Sequence, residues 1–444
     1  MNKLKLVILI AFCYVSIFNK TSALEIIRDV ELENFTKKIV KHLIKDSEIE
    51  FDDINYYFIN SKDINAFVTS GNNLFINTEI LIAAKDYREY AAVLAHELSH
   101  ILGGHVFRTK QEINNLGTRA FPIYVLGILG ILGGAADTGI ATLMVGSASV
   151  QDGYTYYSRT QEASADQAAV KLLCNNRIDA RYLLDFLDKL DLSIPYSQDQ
   201  TSYRSTHPMI SERKTWIESA LMNQYNRCEF NQNIDLQKEF LLLKAKLFGF
   251  SHSHDETNAV YQSGEDIDKY AKAVSSYFAG NHDISISLLN ELIKNSPDNP
   301  FFRELIAEIY FSKHNYELAI IHQEASIKLL NEENDLYYMM IGNYYLTTGN
   351  ESKYNESIKF LKKSLRLNTK NTYSWYLLAK AYAETDNLSL AEYATAERYY
   401  LTGNYGMAHE FAVKSLKNIE KNSTEWYRAN DLLNIISNMQ SQDS

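Results

Sequence analysis

Tyr90-Ala91-Ala92-Val93-Leu94-Ala95-His96-Glu97-Leu98-Ser99-His100 is the stretch on which the reading of this chain turns. An apolar run that suits a buried helix leads into two histidines spaced i, i+4. On an α-helix these lie about 40° apart, so both imidazoles leave one face and can hold a single metal ion. Glu97 stands on the flank, beside the position of a water at the metal. A carboxylate there can take a proton from the water and return it to a leaving amine. Histidines on an exposed amphipathic helix would share the spacing. The apolar mid-helix setting weighs against that, because unpaired polar side chains there cost stability.

Two histidines and an open position need a third ligand. A metzincin pattern would place a histidine six residues beyond His100, where this chain has Val106. His105 comes one residue early, at about 140° around the helix from His100, which suits a helix-terminus or supporting residue. Glu162 is the better candidate. It opens Glu162-Ala163-Ser164-Ala165-Asp166 on a helix expected over 156–174, and Asp166, one turn later on the same face, can orient a ligand histidine.

Outward from this core, 25–46 reads as an amphipathic helix, with Ile27, Phe35, Ile39 and Leu43 near helical spacing. Strands are expected at 56–59, 65–68 and 74–76 around a Gly71-Asn72 turn, with Thr78 as the N-cap of a following helix. Helices are expected at 87–102 and 180–190. Residues 120–150 carry one charge, Asp137, and six glycines. A single span there would separate His96 from Glu162 across a bilayer, and two spans need about 40 residues. A buried helical pair, a lid, or a hairpin contacting the membrane surface remain.

From about 266 the chain repeats. Tyr277-Phe278, Tyr310-Phe311 and Tyr344-Tyr345 recur at spacings of 33 and 34, each ahead of a turn. Tyr382 follows after a four-residue insertion at Glu351–Tyr354, and Ala319, Ala391 and Ala408 stand where paired helices must approach closely. The period resembles that of tetratricopeptide repeats over roughly 267–436 and predicts stacked helix pairs that bind protein. His252, His254, Asp255 and Glu256 before the repeats are read as an exposed linker, since no further ligand has useful spacing.

Lys3 and Lys5, an apolar run over Leu6–Phe18 and Thr21-Ser22-Ala23 read as a signal peptide, residues 1–23, cleaved after Ala23; an uncleaved anchor is the alternative. Losing the lysines at 3, 5 and 20 takes the net charge from −11 to −14. So acidic a chain is a poor partner for nucleic acid. Two cysteines then remain, Cys174 and Cys228. They either pair, closing a loop worth about 3–4 kcal/mol, or are unrelated buried thiols.

His-Glu-x-x-His followed by Glu-x-x-Ala-Asp, in a secreted chain ending in repeats, resembles the BepA-type periplasmic peptidases of the gluzincin family, which includes HtpX and the prenyl-protein CAAX endopeptidases. The likeness extends to Ser205-Thr206-His207-Pro208 with Arg213 downstream. It implies that His207 lies at the active site, able to fill the metal's open position in a latent form, and that Arg213 stabilises an oxyanion or a neighbouring carboxylate. It also implies that Asn65-Ala66-Phe67, Gly71 and Asn77 belong to an edge strand that lays substrate along the cleft. Thr69-Ser70-Gly71-Asn72 departs from the Pro-Gly-Gly usual there. The expectation is a predominantly helical α+β zinc metallopeptidase domain with a small sheet (24–262), then an α-solenoid (266–440). One Zn2+ would be held by His96, His100 and Glu162, with Glu97 as base. The resemblance further implies a periplasmic enzyme, with possible membrane contact through 120–150. Its substrates would be unfolded or stalled envelope proteins, and outer-membrane assembly machinery would engage the repeats. The alternative is a mostly latent chaperone or scaffold.

Overall fold

A computed structural model describes residues 25–69, 71–105, 157–192, 207, 210–224, 228–231 and 233–442. The expected signal peptide, the apolar segment 120–150, Val106 and the residues flanking His207 lie outside them.

The expected first helix begins later than its periodicity suggests. Glu25–Ile27 is instead a strand, β1, and the helix α1 is Val30–Leu43. Asp29 separates them: its extended backbone and carboxylate, which accepts from the Leu32 N–H at 2.8 Å, start the helix there. Strands β2 (Asn55–Asn60), β3 (Ala66–Thr69) and β4 (Asn73–Asn77) complete one sheet in the order β1-β2-β4-β3. β2 and β4 run parallel, and the other pairs are antiparallel. Alternation divides the faces. Phe58, Ala66, Val68, Leu74 and Ile76 face the helices, while Tyr57, Phe75 and Phe67 stack on the other face at 4.9 Å ring separations.

Thr78 does not cap by its side chain; its backbone is already helical and its hydroxyl has no partner. It leads into a short helix, α2 (Glu79–Ala83), and Asp86 then caps α3, Tyr87–Leu102. α3 is buried on every side from Glu89 to His100, as expected of a helix at the centre of a layered core. α4 (Arg159–Asn175) starts at a Ser158–Gln161 capping box, followed by α5 (Arg181–Leu192) and α6 (Ile210–Gln224). Cys174 at the end of α4 and Cys228 beyond α6 form a disulfide, their Cα atoms 5.3 Å apart.

α7 (Ile234–Ser251) belongs to both halves. Phe240, Leu243 and Leu247 enter the core beneath the sheet, and Leu242 the first core of the repeats. The expected linker is a helix, α8 (His254–Val260), because Ser253 and Glu256 form a capping box. Next come α9 (Asp266–Phe278), α10 (His282–Asn295), α11 (Pro300–Ser312), α12 (Tyr316–Leu330), α13 (Asp335–Thr347), α14 (Glu351–Leu367), α15 (Thr372–Glu384), α16 (Leu388–Leu401), α17 (Tyr405–Ser415) and α18 (Thr424–Gln442). Consecutive helices pair. The turns reuse one device, a left-handed residue after the helix: Gly280, His314, Gly349, Asp386 and Gly403 all have φ between 56° and 78°. Ala319 and Ala408 are fully buried at the close approaches.

Where the halves meet, Lys246 of α7 reaches Asp29 (2.6 Å), Glu31 (3.3 Å) and Glu304 of α11 (3.7 Å), and Tyr270 donates to Glu31 at 2.7 Å. One cation thus serves several buried carboxylates. Replacing it by methionine should cost about 3–5 kcal/mol of stability, measured by chemical denaturation, because the acids lose their partner. Burial pushes Glu31 up to about 7 and Glu304 up to about 8. The folded chain therefore keeps protons that the unfolded chain releases near its ordinary carboxyl pKa. This contribution to stability is full below about pH 4.5 and is lost as pH rises through about 7–8. Denaturation midpoints should fall with pH across that window, and Glu304→Gln should flatten the fall.

Candidate metal centre

Three elements deliver the side chains. α3 supplies His96, Glu97 and His100 from one face, as helical spacing requires; α4 supplies Glu162 and Asp166; α6 supplies Arg213, with His207 just before it. All seven are completely buried. The burial follows from α3 being central: its neighbours cover the polar face as fully as the apolar one.

The ligand atoms of His96, His100, Glu162 and His207 all lie within 4.8 Å of one another, the one such group among the described residues. The Nε2 atoms of His96 and His100 face each other at 3.1 Å, and each is 3.5 Å from a Glu162 oxygen. His207 Nδ1 is 3.0 Å from Glu162 Oε1 and 3.4 Å from His96 Nε2, while its Nε2 stands 3.3 Å from Glu97 Oε1.

A second layer sets the orientations. His96 Nδ1 sits 2.9 Å from Asp166 Oδ1, which leaves Nε2 free to ligate. His100 Nδ1 meets His105 Nδ1 at 3.0 Å, which puts His105 behind His100 and outside the converging group. Arg213 donates to both oxygens of Asp166, at 2.9 and 2.8 Å, and its Nε is 3.2 Å from Glu162. Tyr157, which the sequence reading missed, stacks on His100 with ring centroids 3.7 Å apart and donates its hydroxyl to the Val68 carbonyl at 3.0 Å. An aromatic residue directly before a capping box was its only sequence signal.

These residues fit a divalent cation. Glu97, Glu162 and Asp166 bring three fully buried carboxyl groups together beside one guanidinium. Charge so buried needs compensation. Both Glu97 oxygens lack a hydrogen bond. Burial raises the Glu97 carboxyl pKa. At Glu162 burial pushes the same way but His207 and Arg213 outweigh it, holding the carboxyl well below its usual range. At His96 burial and Arg213 oppose protonation, yet Asp166 and Glu162 raise its pKa to about 9, a second sign of surplus negative charge. Imidazole with carboxylate, converging within reach of one ion, is a donor set for a transition metal.

Comparison with known proteins agrees with this geometry. The chain is 24% identical over 397 residues to the beta-barrel assembly-enhancing protease of Escherichia coli K12, covering 86% of this chain and 78% of that protein. A putative beta-barrel assembly-enhancing protease of Vibrio cholerae is 23% identical over 410 residues, covering 90% and 82%. The metalloprotease LoiP of Escherichia coli K12 is 29% identical over 164 residues, 37% of this chain and 61% of that protein. The model of peptidase family M48 matches residues 32–220, which span β2, β3, β4, α3, α4 and Arg213. Those residues resemble peptidase family M48, and the chain is a metalloendopeptidase.

Proposed function

We propose that this chain is a zinc endopeptidase of the cell envelope, acting on unfolded or stalled outer-membrane proteins. The observation that carries the reading is the meeting of His96, His100 and Glu162 around one point with Glu97 beside it. Those three residues would hold the zinc, which supplies Lewis acidity to a water and to the substrate carbonyl. Glu97, whose hold on a proton burial strengthens, takes the proton from the attacking water and returns it to the leaving amine. Asp166 keeps His96 in the ligating tautomer, and Arg213 fixes Asp166 and Glu162. β3, at the outer end of the sheet, supports a substrate laid on as an added strand.

The names of the relatives speak of barrel assembly, which supports the substrate class, and the stacked helix pairs suit an assembly partner. The Cys174–Cys228 disulfide supports an oxidising compartment. No described helix is long and apolar enough to cross a membrane.

A second reading, a mostly latent scaffold, is favoured by His207 alone, whose ring touches both Glu162 and Glu97 and so stands where water and substrate would enter. Glu97→Gln should keep zinc by metal analysis while slowing hydrolysis of an unfolded protein by about 10²–10⁴-fold. Glu162→Ala should lose zinc. Retention of zinc in that variant would sink the assigned ligand set. His207→Ala should raise hydrolysis with zinc content unchanged if the ring is a latch, and a wild-type rate in that variant would remove the latent reading.

A further inference from the structure

The Asn77 N–H donates to the Asn65 carbonyl, so Asn65 and, by alternation, Phe67 turn their peptide groups toward β4. Ala66 and Val68 turn theirs the other way, to the side of β3 on which no described strand pairs. Both outward carbonyls are engaged by side chains of the metal centre. His207 Nε2 is 3.2 Å from the Ala66 oxygen, and the Tyr157 hydroxyl donates to the Val68 oxygen at 3.0 Å. These acceptors, two residues apart on one edge, are those that the amides of an added strand would need.

Tyr157 is placed to do more than hold that edge. Its ring lies flat against His100, 3.7 Å away and tilted by 22°, and stands 5.3 Å from His207. One buried side chain therefore joins the substrate edge to the metal ligand. Its oxygen occupies the place of the next strand's amide nitrogen, since 3.0 Å is the ordinary amide-to-carbonyl distance.

We infer that Tyr157 is a gate on strand addition: an extended main chain enters only by breaking the Tyr157–Val68 hydrogen bond and turning the ring away from His100. This rests on the proposed peptidase reading and adds a residue that tunes substrate affinity and selects segments able to pair along β3. Without the hydroxyl, the free enzyme has nothing to give up at Val68 before substrate pairs there. A net hydrogen bond corresponds to about fivefold in an equilibrium constant.

The test measures binding of fluorescent β-casein, an unfolded probe, to full-length protein carrying Glu97→Gln, with and without Tyr157→Phe. The expected result is a Kd about fivefold lower with phenylalanine and equal zinc content, since the ring keeps its stack on His100. In otherwise wild-type protein, KM should fall by a similar factor. An unchanged or weaker Kd would overturn the gate, whatever the stability of the variant. As a check free of that substitution, the ¹³Cζ resonance of labelled Tyr157 should move when casein binds to Glu97→Gln protein, and a stationary resonance overturns the gate. Absence of casein binding by every variant would overturn it together with the reading beneath it. Binding with the same Kd in both removes the gate alone.

Discussion

Arg213, without an exposed atom, donates through Nε and one terminal nitrogen to the two oxygens of Asp166. A bidentate guanidinium–carboxylate pair in a dry interior fixes distance and plane together. Here it links α6 to α4, and through Asp166 to His96 on α3. His96 meets Asp166 and Glu162 meets Arg213, while His100 rests against His105 and Tyr157. The sheet and α3 could stand without it. The site could not, because three carboxyl groups would then share their space with no fixed cation from the protein.

A similar economy appears where the two halves join. Lys246 is shared among Asp29, Glu31 and Glu304, so one ammonium spans the start of α1, α7 and the repeat helix α11. Arg28 to Asp335 at 3.0 Å and Lys37 to Glu332 at 2.9 Å add pairs along the same seam. Apolar packing is continuous through α7, whose two faces enter different cores. The repeats thus lie against the peptidase side through charge as well as through packing.

Much of this was legible in the sequence, for reasons that can be named. The metal helix announced itself because two histidines one turn apart share a face, and Glu162 with Asp166 repeats that logic. The repeats were legible because aromatic pairs at 277, 310 and 344 recur at nearly one interval, each ahead of a turn. β1 was not: Ile27 falls in register with Phe35, Ile39 and Leu43, and only the cap at Asp29 and pairing with β2 override the helical pattern. The α8 helix was hidden by polar residues whose capping box outweighs their loop-like composition. The roles of Lys246 and Tyr157 were hidden because their partners Asp29 and Val68 lie 217 and 89 residues away in the chain. Pairing of Cys174 with Cys228 turns on a distance that spacing alone does not supply.

That disulfide encloses α5, His207 and α6, while Glu162 and Asp166 sit on the helix that leads into it. It makes Arg213 and Asp166 members of a tethered pair. If their contact opens, the two cannot drift apart as free chain ends would, and their effective concentration for each other stays high. Loss of that contact would leave α4 and α6 close enough for it to re-form.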